Sequence, residues 1–137
     1  MTNPLTINQV FAQLAALEGQ PVELEAVLVD TDGDGFELLH YPAAERVREF
    51  VDDDREYPAS ILLGFGNGSL RPNVHALRRW SGKRVRVHGV IHSVLALPPV
   101  SGLSKGGFGP WGLWPAEVEV YSVQRVTADE RRESARQ

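Results

Sequence analysis

Three groups of residues in this 137-residue chain are suited by type and spacing to chemistry or binding. The first is Asp30-Thr-Asp-Gly-Asp-Gly35. Asp30, Asp32 and Asp34 stand at the first, third and fifth positions of a calcium loop, and Gly35 at the sixth, where such a loop turns sharply. The twelfth position calls for a bidentate Glu and is Tyr41, and both flanks alternate as strands do. A hairpin turn is therefore the simpler reading, with the three aspartates a weak cation site at most. The second group is the histidines, His40, His75, His88 and His92. His88 and His92 share one face of an extended segment but lie about 13 Å apart at strand rise, too far to share a metal without a third element. They read as surface or capping groups. The third group is the connection 94–115, where Phe108, Trp111 and Trp114 stand among glycines and Lys105 precedes Gly106 and Gly107. Exposed aromatics on a glycine-rich loop suit base stacking or the anchoring of a partner. Alternatively they fold back as a lid on the core, Trp114 above all, because it abuts the strand that follows.

Other chemistries find no footing. The chain has no cysteine, which removes disulfides, thiolate metal sites and a cysteine nucleophile. Ser101–Gly109 lacks the spacing and the strand-to-helix setting of a phosphate-binding loop. Asp52–Asp54 reads as a solvated charge run, and no nucleophile, base and oxyanion donor come together in the pattern. The expectation is a protein that is not an enzyme and needs no cofactor. A net charge of −4 and the absence of a basic run argue against a general nucleic-acid coat. Met1–Pro4 leads into an amphipathic pattern, and no apolar run approaches the roughly 18–20 residues of a membrane span. A cytoplasmic protein without membrane association is expected.

These groups must be carried by regular elements. Thr6-Ile-Asn-Gln9 has the form of a capping box, and Ile7, Val10, Phe11, Leu14 and Leu17 follow helical spacing up to Gly19. An amphipathic helix is expected over 6–18. From Pro21 to Asp30 the period becomes two, and Phe36–Tyr41 resumes it after the acidic turn, so the two form a hairpin. Pro42–Val51 suits a short helix with Val47, Phe50 and Val51 inward, followed by a solvated link over Asp52–Pro58. Ser60–Phe65 is apolar on both faces and reads as a buried strand. Pro72–Trp80 reads as a second short helix capped by Asn73, with Gly82 just beyond it. Lys83–Ser93 and Ala116–Val126 alternate as the last two strands. Residues 127–137 form a charged tail without apolar anchors.

Five strands with a helix between the third and the fourth resemble the OB-fold, a small Greek-key barrel. The segments that carry this resemblance are Gln20–Asp30, Phe36–Tyr41, Ser60–Phe65, Asn73–Trp80, Gly82–His92 and Ala116–Val126. The expectation is a mainly β chain with short helices: one OB-like domain over residues 1–126, with the N-terminal helix as an addition. The resemblance implies that the fourth strand lies between the first and the fifth. Arg84 and Arg86 would then stand between Glu23 and Glu25 on one side and Glu117 and Glu119 on the other, a ladder of complementary charge. The order that sets the first strand beside the fifth would put four glutamates together.

The resemblance also makes the 94–115 connection a ligand loop and implies single-stranded nucleic acid, stacked on Phe108, Trp111 or Tyr121 with Lys105 near phosphate. The charges favour a protein partner instead, held by Phe108, Trp111, Trp114, Lys105 and Tyr121. The two arginines are committed to glutamates, and the neighbouring turn is acidic.

Overall fold

The computed structural model describes residues 4–31, 35–47, 49–52, 55–65, 74–94 and 114–126. Among them the chain is mainly β. In order come α1 (Ile7–Ala12), α2 (Leu14–Leu17), β1 (Pro21–Asp30), β2 (Phe36–Leu39), a 3₁₀ turn (Ala43–Glu45), β3 (Glu49–Asp52), β4 (Arg55–Pro58), β5 (Ile61–Gly64), α3 (Val74–Arg79), β6 (Arg84–Ser93) and β7 (Ala116–Arg125). Five strands close into a ring in the order β1-β2-β5-β7-β6, and β3 and β4 form a separate two-stranded sheet.

The length of β1 lets the ring close. Pro21–Val27 pairs antiparallel with β6 and Val27–Asp30 pairs antiparallel with β2, so Val27 faces both Arg84 and Leu39. β5 and β7 run parallel, with Leu62 beside Glu117. The alternation read in the sequence decides which side chains enter. Leu24, Ala26 and Leu28 of β1, Val85, Val87 and Ile91 of β6, and Val118 and Val120 of β7 are buried in one core. Ile7, Val10 and Leu14 join that core from the helices, and Leu77 of α3 joins it as well.

The helical expectations are realised unevenly. Thr6 and Gln9 form the capping box: the Gln9 N–H donates to Thr6 Oγ1 and the Thr6 N–H to Gln9 Oε1. The helix expected over 6–18 is divided at Gln13, whose φ of −135° and ψ of 32° end α1 before α2 begins. Its apolar residues serve two surfaces. Ile7, Val10 and Leu14 enter the core, whereas the Phe11 ring packs on Phe50, with centroids 5.0 Å apart. α3 ends as expected near Gly82, whose φ of +83° favours glycine at that turn.

The second expected helix, Pro42–Val51, and the solvated link after it are overturned. Among the described residues of that segment only Ala43–Glu45 turns, and Glu49–Asp52 pairs with Arg55–Pro58 as a hairpin, Phe50 opposite Tyr57. Period two wins there because one side of the hairpin has a core to meet. Tyr57 is buried and Phe50 reaches Phe11, while Val51 on the other side is exposed, as is Val47 ahead of the hairpin. No helix among the described residues is long and apolar enough to cross a membrane.

Candidate functional site

The base of the long aromatic connection is clamped to the ring. The Val94 N–H donates to the Pro115 carbonyl at 2.9 Å, joining the two stems. Trp114 is 8% exposed, and its indole Nε1–H donates to Glu37 Oε2 at 2.9 Å. The same oxygen accepts from Ser60 Oγ at 3.2 Å. Glu37 points outward from β2 and lies in register with Leu62 of β5, so Trp114 fastens the exit of the connection over β2 and β5. Of the two readings of Trp114, a partner contact or a lid on the core, its burial and its bond to Glu37 fit the lid. Lys105, Phe108 and Trp111 lie outside the described residues.

The outer face of β6 carries Arg84, Arg86, His88, Val90 and His92 in succession. β6 does lie between β1 and β7, as the charges required. Arg84 Nη2 meets Glu25 Oε2 at 2.6 Å with both side chains largely buried, and Arg86 reaches Glu23 at 3.5 Å and Glu25 at 3.7 Å. The β7 half of the expected ladder is different. Glu117 faces His92 and Glu119 faces Val90, while Arg86 faces Gln124. The reason is direction: antiparallel pairing brings the start of β7 to the end of β6, far from Arg84 and Arg86. His92 therefore takes the glutamates, with Nε2 3.4 Å from Glu119 and Nδ1 3.5 Å from Glu18. Glu18 also accepts the Ser93 N–H at 2.5 Å, tying the end of α2 to β6. Burial raises the Glu117 carboxyl above its ordinary range; Glu119 adds to this and His92 opposes it.

Tyr121 sits at an irregularity of the β6–β7 ladder. His88 pairs with Ser122 and Gly89 with Val120, so Tyr121 is the extra residue of a β-bulge. It is 38% exposed, and its ring lies 5.9 Å from the ring of His88. Gly89 permits the close approach: a Cβ there would strike the Glu119 carbonyl oxygen. The bulge had a signal in the sequence. The apolar phase of β7 moves from Val118 and Val120 to Tyr121 and Val123.

The remaining candidates are dispersed. Asp30 faces Arg78 at 3.9 Å, while Asp32 and Asp34 lie outside the described residues. No group of three metal-ligating side chains occurs among the described residues. His40 is a buried cap rather than a surface group. Its Nδ1 accepts the Asn8 N–H at 3.2 Å in the first turn of α1, and Nε2 stands 3.9 Å from Glu45. Burial pushes its pKa down, helped by Arg46 and opposed by Glu45. What these residues offer is a fastened loop base, a neutralised strand face and an exposed aromatic–histidine pair. No protein-family model matches the chain, and no curated protein does either.

Proposed function

We propose that the chain is a non-catalytic, OB-like binding module that engages a protein partner through the aromatics of the 94–115 connection and the adjoining β2–β5 face. The strand order β1-β2-β5-β7-β6 with a parallel β5–β7 pair supports the OB-like reading, with the β3–β4 hairpin as an insertion and the N-terminal helices as an addition. The observation that carries the proposal is the Trp114–Glu37 hydrogen bond, which fixes the exit of the connection beside that face. Phe108 and Trp111 then supply the anchors, Lys105 and Tyr121 contribute polar and aromatic contacts, and the acidic turn after Asp30 belongs to the rim. A protein is favoured over a polyanion because Arg84 and Arg86 are neutralised by Glu23 and Glu25. The setting is cytoplasmic.

Single-stranded nucleic acid is the second reading, favoured by the exposed Tyr121–His88 pair, which offers a stacking surface. Trp111→Ala separates anchor from core. It should abolish co-purification of the partner and leave Tm nearly unchanged; a fall of more than about 8 °C would make the ring part of the core. Tryptophan fluorescence titrated with a mixed single-stranded oligonucleotide tests the second reading. Absence of quenching at about 50 mM salt, where electrostatic binding is strong, removes it.

A further inference from the structure

At the opposite end of β6 and β7 from the 94–115 connection lies a cleft of about 250 Å³, lined by Val27, Tyr41, Lys83, Arg84, Arg125 and Val126. Strands of this length separate the two ends by about 30 Å, so the cleft is independent of the loop base. Among the described residues its chemistry is one-sided: three cations and no carboxylate line it. Arg84 is bound to Glu25, but Lys83 and Arg125 are exposed and form no ion pair among the described residues. The register brings them together, since Val85 faces Arg125 and the Val126 N–H donates to the Arg84 carbonyl at 3.0 Å. Tyr41 supplies a flat wall. Arg84 Cζ lies 4.1 Å from the centroid of its ring, which remains 40% exposed.

We infer that this cleft binds a small phosphorylated ligand with a flat ring, of the size and chemistry of a nucleoside monophosphate. Lys83 and Arg125 hold the phosphate, Arg being suited to bidentate contact with it. Tyr41, backed by the Arg84 guanidinium, stacks on the ring, and Val27 and Val126 give the apolar floor. The cleft volume lies just below the ~300–1,000 Å³ of sites for drug-sized molecules, which suits a ligand of this size. In a protein of net charge −4, Lys83 and Arg125, which form no ion pair among the described residues, stand at one exposed aromatic, and an anion accounts for that arrangement.

The test is titration of the ¹⁵N-labelled full chain with adenosine 5′-monophosphate, read by amide shifts. Saturable shifts at Gly82, Lys83, Arg84, Arg125 and Val126 are expected. The Lys83→Glu/Arg125→Glu variant, with its melting temperature preserved, should lose at least about tenfold in affinity, and Tyr41→Ala about fivefold, the order of a stacking contact. Unmoved amides, or equal affinity in the charge-reversed variant, would overturn the site. Adenosine binding as well as the monophosphate would overturn the role of the cations. Inorganic phosphate binding as well would overturn the role of the ring. Binding of a single-stranded oligonucleotide without binding of the monophosphate would overturn the small-ligand assignment.

Discussion

Trp114 and Glu37 are 77 residues apart in the chain and joined by a 2.9 Å hydrogen bond. Their contact ties the start of β7 to β2 across β5, and through Ser60 it takes in the entry to β5 as well. The 94–115 connection returns to the ring at that knot, so the two residues fix the position of its exit.

Removing the Glu37 carboxylate leaves two donors in buried residues without their acceptor. Each such loss costs about 1–3 kcal/mol, so Glu37→Ala should lower stability by about 2–6 kcal/mol. Tm should fall by roughly 6–20 °C. Glu37→Gln keeps an acceptor and should cost less than half as much. Thermal melts that show no difference between Glu37→Ala and the parent chain would remove the knot from the account.

His40 makes stability depend on pH in a definite direction. Its folded pKa is lowered from 6.5, first by burial. The unfolded chain therefore takes up the proton more readily than the folded one. The contribution is complete above pH 6.5 and is lost as pH falls through the lower folded value. Urea melts between about pH 5 and 8 should show this loss, and His40→Gln should flatten it. A variant with an unchanged pH profile would rule His40 out as the titrating group.

Glu117 acts with the opposite sign. Burial raises its folded pKa above 4.5, so its contribution is present below that value and lost as pH rises through the folded pKa. At neutral pH the ionised carboxylate is a burden on the fold. Glu117→Gln should raise Tm at pH 7 and make no difference near pH 3. A lower Tm at pH 7 would mean that the His92 interaction outweighs desolvation.

Two glycines separate a rigid neighbour from a yielding one. A Cβ on Gly89 meets the Glu119 backbone, whereas one on Gly64 meets the end of the Glu117 side chain. Gly89→Ala should cost about 1–3 kcal/mol, the range of overpacking, and Gly64→Ala clearly less. Equal losses in chemical melts would show that Glu117 cannot move aside.

The parts of the fold legible in the sequence were those with a repeating local pattern. Val22, Leu24, Ala26 and Leu28 announced β1 by alternation, and Thr6 and Gln9 announced the start of α1 by their side-chain hydrogen bonds. The β3–β4 hairpin was misread because Val47, Phe50 and Val51 satisfy helical spacing as well. What separates the two readings is tertiary: Phe50, on its strand, packs on the ring of Phe11, 39 residues earlier. At the candidate site, Trp114 was visible as a residue of consequence, but its role depended on a carboxylate from β2.

By itself the sequence determined the alternating strands, the capped helix start, the place of β6 between β1 and β7 and the neutralisation of Arg84 and Arg86. Those follow from period, capping chemistry and the cost of setting glutamates side by side, all of which act between neighbours or along one strand. Only the tertiary structure decided that Trp114 is an anchor, that His92 rather than the arginines meets Glu119, and that Lys83, Arg125 and Tyr41 share a cleft. Each of these depends on strand direction, a one-residue bulge or closure of the ring. Such long-range geometry leaves no spacing in the chain to be read.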